Sequence, residues 1–232
     1  MKNIIRTLQQ LNRQIHMLEQ HYGRKPGSVG LLAVSKTRPV EQILAASQAG
    51  QRDFGENYLQ EAITKIQSLD DHGLIWHFIG PVQANKTRAI AANFTWVHSL
   101  DREKIAQRLN AMRPHDMPPL NICVQVNISS EATKSGITPA ELPELARQIS
   151  NLSRLRLRGL MAMPEPGGDL ARQRRPFRQL RHCFDQLNAE GYKLDTLSMG
   201  TTQDMEAAIA EGTTILRIGT AIFGPRSLPG AV

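Results

Sequence analysis

A lysine at the end of an apolar segment is the residue of this sequence best suited to covalent chemistry. Lys36 closes the run Gly30-Leu-Leu-Ala-Val-Ser-Lys36, and strand alternation gives it the same face as Leu32 and Val34. If that face lines the interior, burial lowers the pKa of the ammonium and favours the neutral amine that Schiff-base chemistry needs. This spacing alone leaves open the alternative of a strand-end lysine that extends into solvent.

Two turns rich in small residues near the end of the chain could hold a phosphate. Ser198-Met-Gly-Thr-Thr202 follows an apolar segment, and Thr201 and Asp204 have the spacing of a capping box at a helix start. Such a turn presents backbone N–H groups and the positive end of a helix dipole. Arg217-Ile-Gly219-Thr220 is a second turn of this kind. We expect an anion site there, although ordinary strand-to-helix turns use the same residue types.

An arginine and an asparagine could complete this site. Arg217 has the parity of Gly219, so it could place a permanent positive charge near a phosphate or a heterocycle nitrogen, or form a structural ion pair. Asn57 follows another short apolar segment, where its amide could bind a phosphate or a ring oxygen, or cap the next helix.

Other residues with chemical potential are expected to be structural. His77 and His98 lie in apolar segments, where satisfied core histidines are the expectation, and Met161 and Met163 are expected to pack within the protein. No group of His, Cys and Asp residues has the spacing of a metal site. The two cysteines cannot make a disulfide framework, and the N-terminus lacks the pattern of a signal peptide. We therefore expect reduced thiols and a cytoplasmic protein.

The elements that must position these residues alternate along the chain. A helix with one apolar stripe is predicted over 3–22, and eight short strands, most of them followed by a helix, come after it. The predicted strands cover 30–36, 53–57, 76–80, 95–100, 121–128, 155–163, 196–200 and 215–223. Alternating strands and helices indicate a parallel sheet with helices outside. Eight such units in 232 residues predict one domain, 1–232, folded as a (β/α)8 TIM barrel.

The charge of the chain does not by itself indicate a nucleic-acid partner. The net charge is +7, but the basic residues are spread out apart from Arg172, Arg174 and Arg175, in a segment over 164–175 that is predicted to be a loop. Aromatic residues make up only 5% and no nucleic-acid-binding motif accompanies the arginines, so we expect a solvated basic face and no nucleic acid. No apolar run approaches the roughly 18 residues of a membrane span.

The sequence resembles the pyridoxal phosphate homeostasis proteins over nearly its whole length. Eight motifs, in order, carry the resemblance: Ala33-Val-Ser-Lys36-Thr, Phe54-Gly-Glu-Asn57, Trp76-His-Phe-Ile-Gly-Pro81, Lys134-Ser-Gly136, Arg158-Gly-Leu-Met161, Ser198-Met-Gly200, Asp204-Met-Glu206-Ala-Ala and Arg217-Ile-Gly219-Thr220-Ala-Ile-Phe-Gly224. One stretch departs from the family, which usually reads Ser-Met-Gly-Met-Ser-x-Asp-Met where this chain reads Ser198-Met-Gly-Thr-Thr-Gln-Asp204-Met. Thr202 keeps a hydroxyl where the family has serine.

The resemblance implies a fold, a cofactor and the residues that hold it. The fold would be a barrel like the N-terminal domain of alanine racemase, with an extra N-terminal helix. The cofactor would be pyridoxal 5′-phosphate (PLP), bound as an aldimine to Lys36, with Arg217 near its pyridine ring. The phosphate would lie at Asn57, Ser198, Gly219 and Thr220, and Met199 is counted with these cofactor-binding residues.

The same resemblance favours a carrier of PLP over an enzyme. An arginine near the pyridine nitrogen disfavours protonation of that nitrogen and makes the ring a weaker electron sink. Racemisation also needs a second acid/base group opposite Lys36, which in alanine racemase is a tyrosine of a separate C-terminal domain that we do not expect in this chain. Tyr58, beside Asn57, is the one candidate. We expect a monomer that supplies PLP transiently to apo-enzymes; a weak racemase and a Schiff-base aldolase are the alternatives.

Overall fold

The computed structural model describes residues 2–129, 135–165 and 167–225, and it is built on a closed barrel of eight parallel strands. Strands β1 to β8 are Gly30–Val34, Asp53–Glu56, Ile75–Phe78, Trp96–Leu100, Leu120–Gln125, Leu155–Met161, Thr196–Ser198 and Ile215–Ile218. They follow one another in sequence order, and β8 returns to pair with β1 in a register that sets Leu32 opposite Arg217. The predicted barrel is confirmed.

Helices surround the barrel, one after nearly every strand. Helices α1 to α9 are Lys2–His21, Val40–Gln48, Leu59–Ser68, Thr87–Asn93, Glu103–Met112, Leu142–Ser150, Leu170–Ala189, Met205–Ala210 and Thr220–Phe223. Two short 3₁₀ turns, Asp70–His72 and Ala84–Lys86, precede β3 and α4. In the described parts of the chain, no helix is both long enough and apolar enough to cross a membrane.

The first helix confirms the predicted N-terminal addition to the barrel. Its apolar stripe, with Ile4, Leu8, Leu11 and Ile15, is buried, and α1 packs against α2, α8 and α9. Gly23 follows with a left-handed φ of 62°, the conformation that glycine adopts at low cost after a helix. The stripe therefore covers the side of the barrel where the first and last units meet.

The last strand is shorter than predicted. The sequence predicts a strand over 215–223, but β8 ends at Ile218 and residues Thr220–Phe223 form α9. A short continuous apolar run fits a buried strand and a buried helix equally well, so periodicity could not separate the two. The break at Gly219 matters for the site, because it turns the chain at the mouth of the barrel.

The arginine-rich segment is mostly helical, which corrects the predicted loop over 164–175. Helix α7 begins at Leu170, and the carboxylate of Asp169 caps it by accepting a hydrogen bond from the backbone N–H of Arg172. The helix that the sequence predicts over 177–190 therefore begins earlier, and Pro176 lies inside it. Residues 166 and 130–134, which include Lys134 of the Lys134-Ser-Gly136 motif, lie outside the described residues.

Candidate functional site

A cavity of about 430 Å³ opens at the carboxyl ends of the strands. It is lined by Val34, Lys36, Asn57, Ile79, Met161, Met163, Thr201, Thr202, Gln203, Arg217, Gly219 and Thr220. The structure thus brings together five of the predicted site residues from three different strand ends. Active sites of such barrels lie at this end, where the strand-to-helix loops meet.

Lys36 lies in this cavity, just beyond β1, and its backbone is held from outside the barrel. The neighbouring Ser35 donates its hydroxyl to Glu56 Oε1 at 2.6 Å, and Lys65 Nζ donates to the Ser35 carbonyl at 2.7 Å. On the other side, the Thr37 backbone N–H donates to Glu61 Oε1 at 2.6 Å. These bonds fix the chain on both sides of Lys36, while the lysine side chain remains half-buried at the cavity.

The groups that hold Lys36 form a buried charged network. Lys65 Nζ lies 2.8 Å from Glu56 Oε1 and also bonds Glu61. Burial raises the pKa of Glu56, and the adjacent Lys65 charge opposes that rise. Thr37 adopts a left-handed φ of 62°, which is uncommon for a β-branched residue and is stabilised here by the bond to Glu61.

Asn57 presents a buried polar atom to the cavity. Its Oδ1 is buried and accepts no hydrogen bond from any described residue. The alternative role, capping α3, is not observed, because the N-cap position of α3 is Tyr58. Rotating the amide by 180° would exchange its oxygen and nitrogen, so the same position could donate to an oxyanion. The cost of an unpaired buried amide indicates that a ligand completes its hydrogen bonding.

Arg217 is buried below the cavity and offers donors to it. Nη1 donates to the carbonyl and to the hydroxyl of Ser198, the latter at 2.8 Å, and Nη2 donates to the Ala162 carbonyl at 2.9 Å. Its Nε–H and second Nη2–H donate to no described residue, and no carboxylate of the described chain pairs with it. Burial lowers the pKa of Arg217 to about 10, a fall that the charge of Asp204 opposes, so the guanidinium stays charged at neutral pH.

The turn after β7 uses part of its hydrogen-bonding capacity internally. The backbone N–H and hydroxyl of Thr201 both donate to Asp204 Oδ1, at 2.6 and 2.8 Å. Thr201 and Asp204 are therefore in contact, but they do not form the predicted capping box, because α8 begins at Met205 and Asp204 is its N-cap residue. The contact also engages an N–H group that would otherwise be available to a phosphate. Thr202, in the same turn, is exposed and lines the cavity.

Ser198 and Met199 lie beneath the cavity and are not among its lining residues. The Ser198 hydroxyl is buried between Arg217 and His98, 2.8 Å from a nitrogen of each. The Met199 backbone N–H donates to the Ile215 carbonyl, and its side chain is buried in the core. Both residues support the cavity; direct contact with a cofactor stays a prediction.

The turn after β8 brings the backbone close to β1. A Cβ atom at Gly219 would lie 3.1 Å from the Val34 carbonyl oxygen, tighter than ordinary contacts. Thr220 then begins α9, whose first backbone N–H groups have no partner within the helix. Gly219 and Thr220 thus place backbone donors and a hydroxyl at the cavity beside Lys36.

Several residues that line the cavity were not predicted from the sequence. Met161 and Met163 were expected to pack inside the protein, but both line the cavity, and Met163 is 62% exposed at its mouth. Ile79 could have been found, because it lies two residues beyond His77 on the same strand face. Gln203 lies in a turn with no periodicity and gave no signal.

The charge of the cavity is positive. Among the described residues that line it, Lys36 and Arg217 are the charged side chains, and there is no carboxylate, imidazole or thiol. The described chain also contains no cluster of three or more His, Cys, Asp or Glu residues that could hold a metal ion. The arrangement suits an anionic ligand that carries a group reactive toward an amine.

Comparison with known proteins agrees with this geometry. Residues 7–227 match the family model of the alanine racemase N-terminal domain. Relatives named pyridoxal phosphate homeostasis protein include that of Pseudomonas aeruginosa, 55% identical over 97% of both chains, and that of Escherichia coli, 52% identical over 97% of this chain and 98% of the relative. The solved structure of PipY of Synechococcus elongatus with PLP bound is 36% identical, with a TM-score of 0.83 over 95% of this chain and all of that chain.

Proposed function

Because this chain belongs to the pyridoxal phosphate homeostasis protein family, we propose that it binds PLP and helps to maintain the supply of that cofactor inside the cell. The observation that carries the proposal is one cavity that combines Lys36, Asn57 and Arg217 and contains no carboxylate among its described lining residues. The PLP-bound relative is a second support, since PipY has the same fold over its whole length.

The residues at the cavity fit the parts of the cofactor. PLP supplies an aldehyde that condenses with a primary amine. Lys36 Nζ would attack the aldehyde carbon, forming a C=N bond while the C=O bond breaks and its oxygen leaves as water. Asn57, Gly219 and Thr220 would hold the phosphate, with Ser198 and Met199 supporting the same end of the barrel. Arg217 would direct its remaining donors toward the pyridine ring.

We propose that the protein is a carrier of PLP and not a racemase. Racemisation requires proton acceptors on both faces of the substrate, and Lys36 is the one lysine, carboxylate, imidazole or phenol among the described lining residues. Arg217 keeps its positive charge, so it would disfavour protonation of a nearby ring nitrogen and weaken the ring as an electron sink. PLP that is bound but not activated for catalysis can be released to an apo-enzyme.

The proposal includes a place and a partner. We place the protein in the cytoplasm, in line with its two unpaired cysteines, Cys123 and Cys183. We propose that it acts as a monomer, since the residues proposed to hold PLP all belong to one barrel. Its partners would be apo-forms of PLP enzymes, which receive the cofactor in a transient encounter.

An absorbance spectrum before and after borohydride reduction tests the proposal. We expect a visible Schiff-base band in the PLP-loaded protein, its loss on reduction, and a modified peptide that contains Lys36. The Lys36→Ala variant should lack the band, while Lys104→Ala, which changes an exposed lysine of α5, should keep it. An unchanged band in Lys36→Ala would move the site elsewhere.

Turnover assays separate the carrier from the enzymes. The carrier should transfer PLP to an apo-enzyme and show no sustained exchange of the alanine Cα hydrogen with solvent. Steady racemisation at about 1 s⁻¹ or faster, an ordinary enzymatic rate, would instead establish a racemase. Borohydride trapping that occurs only with an added sugar phosphate, and not with PLP, would establish a Schiff-base aldolase.

A further inference from the structure

Two buried histidines connect the cavity to the opposite end of the barrel. Asp53 begins β2, and its Oδ1 lies 3.0 Å from His77 Nε2. His77 Nδ1 lies 2.9 Å from His98 Nε2, and His98 Nδ1 lies 2.8 Å from Ser198 Oγ. Ser198 Oγ in turn accepts from Arg217 Nη1. A continuous hydrogen-bonded chain therefore runs from Asp53 through the barrel interior to the arginine at the cavity.

With both histidines neutral, the Asp53 end of this chain fixes the direction of every bond in it. An ionised carboxylate can only accept, so His77 must carry its proton on Nε2, and its Nδ1 must then accept from His98 Nε2–H. His98 Nδ1 is left as an acceptor for the Ser198 hydroxyl, whose oxygen accepts from Arg217. The guanidinium of Arg217 only donates and occupies one lone pair of the Ser198 oxygen, which is compatible with this direction. All donors point from Arg217 toward Asp53.

This assignment requires each histidine to be neutral, and their surroundings favour that state. Burial lowers the pKa of His77, although Asp53 opposes the fall. Burial lowers the pKa of His98 well below its ordinary value, and the nearby Arg217 charge adds to the effect. His77 is also stacked on Trp96, with ring centroids 5.5 Å apart and planes 7° apart, which restricts the orientation of the ring.

We propose that Asp53, His77 and His98 are positioning residues that fix the hydrogen-bonding direction of Ser198 and thereby the orientation of Arg217 toward a bound ligand. The proposal rests on the proposed function in that the ligand is PLP. The chain is not a route for protons to the cavity, because the guanidinium at its end does not exchange between charged and neutral forms at neutral pH. Its role is to keep the Nε–H and the second Nη2–H of Arg217 facing the ligand.

The tautomers of the histidines test the proposal without any cofactor. In the PLP-free protein, ¹⁵N NMR should show both His77 and His98 with a proton on Nε2 and none on Nδ1. In Asp53→Ala the obligatory acceptor is gone, so a second population with protons on Nδ1 should appear. Nδ1–H as the main form of either histidine in the wild-type protein would overturn the proposal, whether or not PLP binds.

The bound cofactor provides the second readout. Asp53 is suited to substitution because its side chain is 42% exposed. Asp53→Ala should shift the visible absorption maximum of bound PLP and weaken its affinity about threefold to tenfold, the effect of one lost buried hydrogen bond. Asp53→Asn keeps an acceptor oxygen, so it should restore the spectrum in part.

A matched control separates positioning from general stability. Asp195 lies at the same end of the barrel, is 50% exposed and pairs with Arg158 at 2.7 Å, but it does not bond the chain. Asp195→Ala should therefore leave the PLP spectrum and affinity unchanged. His98→Gln, which keeps a polar atom toward His77 and loses the one toward Ser198, should resemble Asp53→Ala. Wild-type spectra and affinities in both Asp53→Ala and His98→Gln would show that the chain is only structural and overturn the proposal.

Discussion

Two polar side chains at the cavity, Asn57 and Arg217, have hydrogen-bonding groups that no described residue satisfies. Leaving a buried polar group unpaired costs about 1–3 kcal/mol, so such groups are rare away from functional sites. Arg217 is held by hydrogen bonds to Ser198 and Ala162, and Asn57 directly follows β2. They are therefore positioned for a ligand before it arrives, which reduces the ordering that binding requires.

Asn57→Ala should separate binding from stability. We expect PLP affinity to fall about tenfold or more, because a hydrogen bond to a charged group contributes about 1.5–3 kcal/mol. The free energy of unfolding should be unchanged or slightly increased, since the buried oxygen has no partner in the described protein. Titration of the visible band and urea denaturation provide the two measurements.

Asn93→Ala is the matched control for this substitution. The Asn93 side chain donates to the Ala89 carbonyl in α4, away from the cavity. It should lower stability modestly and leave PLP affinity as in the wild type. Equal PLP affinity in Asn57→Ala and the wild type would contradict the site that we propose.

The alternation of residues along the strands predicts part of the site. The depth of a residue within the barrel then determines whether it lines the cavity. Lys36 and Arg217 were found from the alternation of residues along their strands, and Asn57 because it follows a predicted strand. Ser198 has the same parity, but it lies one layer lower, where its hydroxyl contacts Arg217 and His98 and does not line the cavity. Sequence alternation determines the face of a strand and not the layer, because the layer depends on the stagger between neighbouring strands.

At the scale of the elements, β6 leaves no room for a side chain at Gly159. A Cβ atom there would lie 1.7 Å from the Thr196 carbonyl oxygen of β7, the residue that Gly159 faces in the register. Backbone cannot yield as a flexible side chain does, so the strands would have to separate. Gly159 is also part of the Arg158-Gly-Leu-Met161 motif, and its absent side chain is the physical reason for a glycine there.

Gly159→Ala should destabilise the barrel by about 3 kcal/mol, in the upper range for overpacking a tight site. Gly30→Ala is the control in β1, because a Cβ there would lie at an ordinary 3.5 Å from the Thr214 carbonyl. It should change the free energy of unfolding by less than about 1 kcal/mol. Chemical denaturation measures both, and similar losses in the two variants would show that the close contact is not decisive.

Glu19 ties the end of α1 to the segment that enters β1. Its buried carboxylate accepts from the backbone N–H groups of Gly27 and Val29, at 3.0 and 2.8 Å, and lies 2.9 Å from His16 Nδ1. Burial by itself would raise the pKa of Glu19, but these hydrogen bonds outweigh it, and the pKa lies below its ordinary value of 4.5. The folded state therefore favours the ionised form.

Glu19→Gln should make the protein less stable in a pH-dependent way. A lowered pKa in the folded state stabilises the protein above pH 4.5, and that stabilisation is lost as the pH falls through the folded pKa. We expect a loss of about 2 kcal/mol at pH 7, from charge-assisted bonds, and a smaller difference from the wild type below pH 4. Thermal denaturation across pH checks this, with Glu190→Gln at an exposed site as the control. A difference independent of pH would contradict the assignment.

Periodicity predicted the elements well where they are long and less well at their ends. The eight strands and the amphipathic α1 follow from the alternation of apolar segments and from helical spacing. Errors arose where a local signal had two structural meanings. The run after Gly219 is apolar in both a strand and a helix, and Pro176 can begin a helix or lie within one.

For the molecule as a whole, we propose that residues 1–232 act as one domain that PLP stabilises. Ligand at 100 times its Kd adds about 2.7 kcal/mol of stability, which raises the melting temperature by about 5–10 °C in a chain of this size. Calorimetry should show a single transition that shifts upward with PLP and shifts less in Lys36→Ala. Two separate transitions would contradict the single domain, and an unshifted transition would contradict PLP binding.

Part of the overall charge of +7 is engaged in ion pairs within the described chain. Arg174 and Arg178 both pair with Glu211, and Arg158 pairs with Asp195, so several arginines serve contacts within the chain. The sequence could not predict these ion pairs, because they join residues far apart along the chain.

The strand pair that closes the barrel, β1 with β8, also assembles the cavity, since Lys36 follows the first strand while Arg217 and Gly219 come from the end of the last. During translation, Lys36 is synthesised early and Arg217 almost at the end. A nascent chain would therefore contain the amine that we propose reacts with PLP, but not the complete cavity around it. Binding of PLP would begin only when synthesis is complete. Unfinished chains would therefore not compete for this scarce and reactive aldehyde.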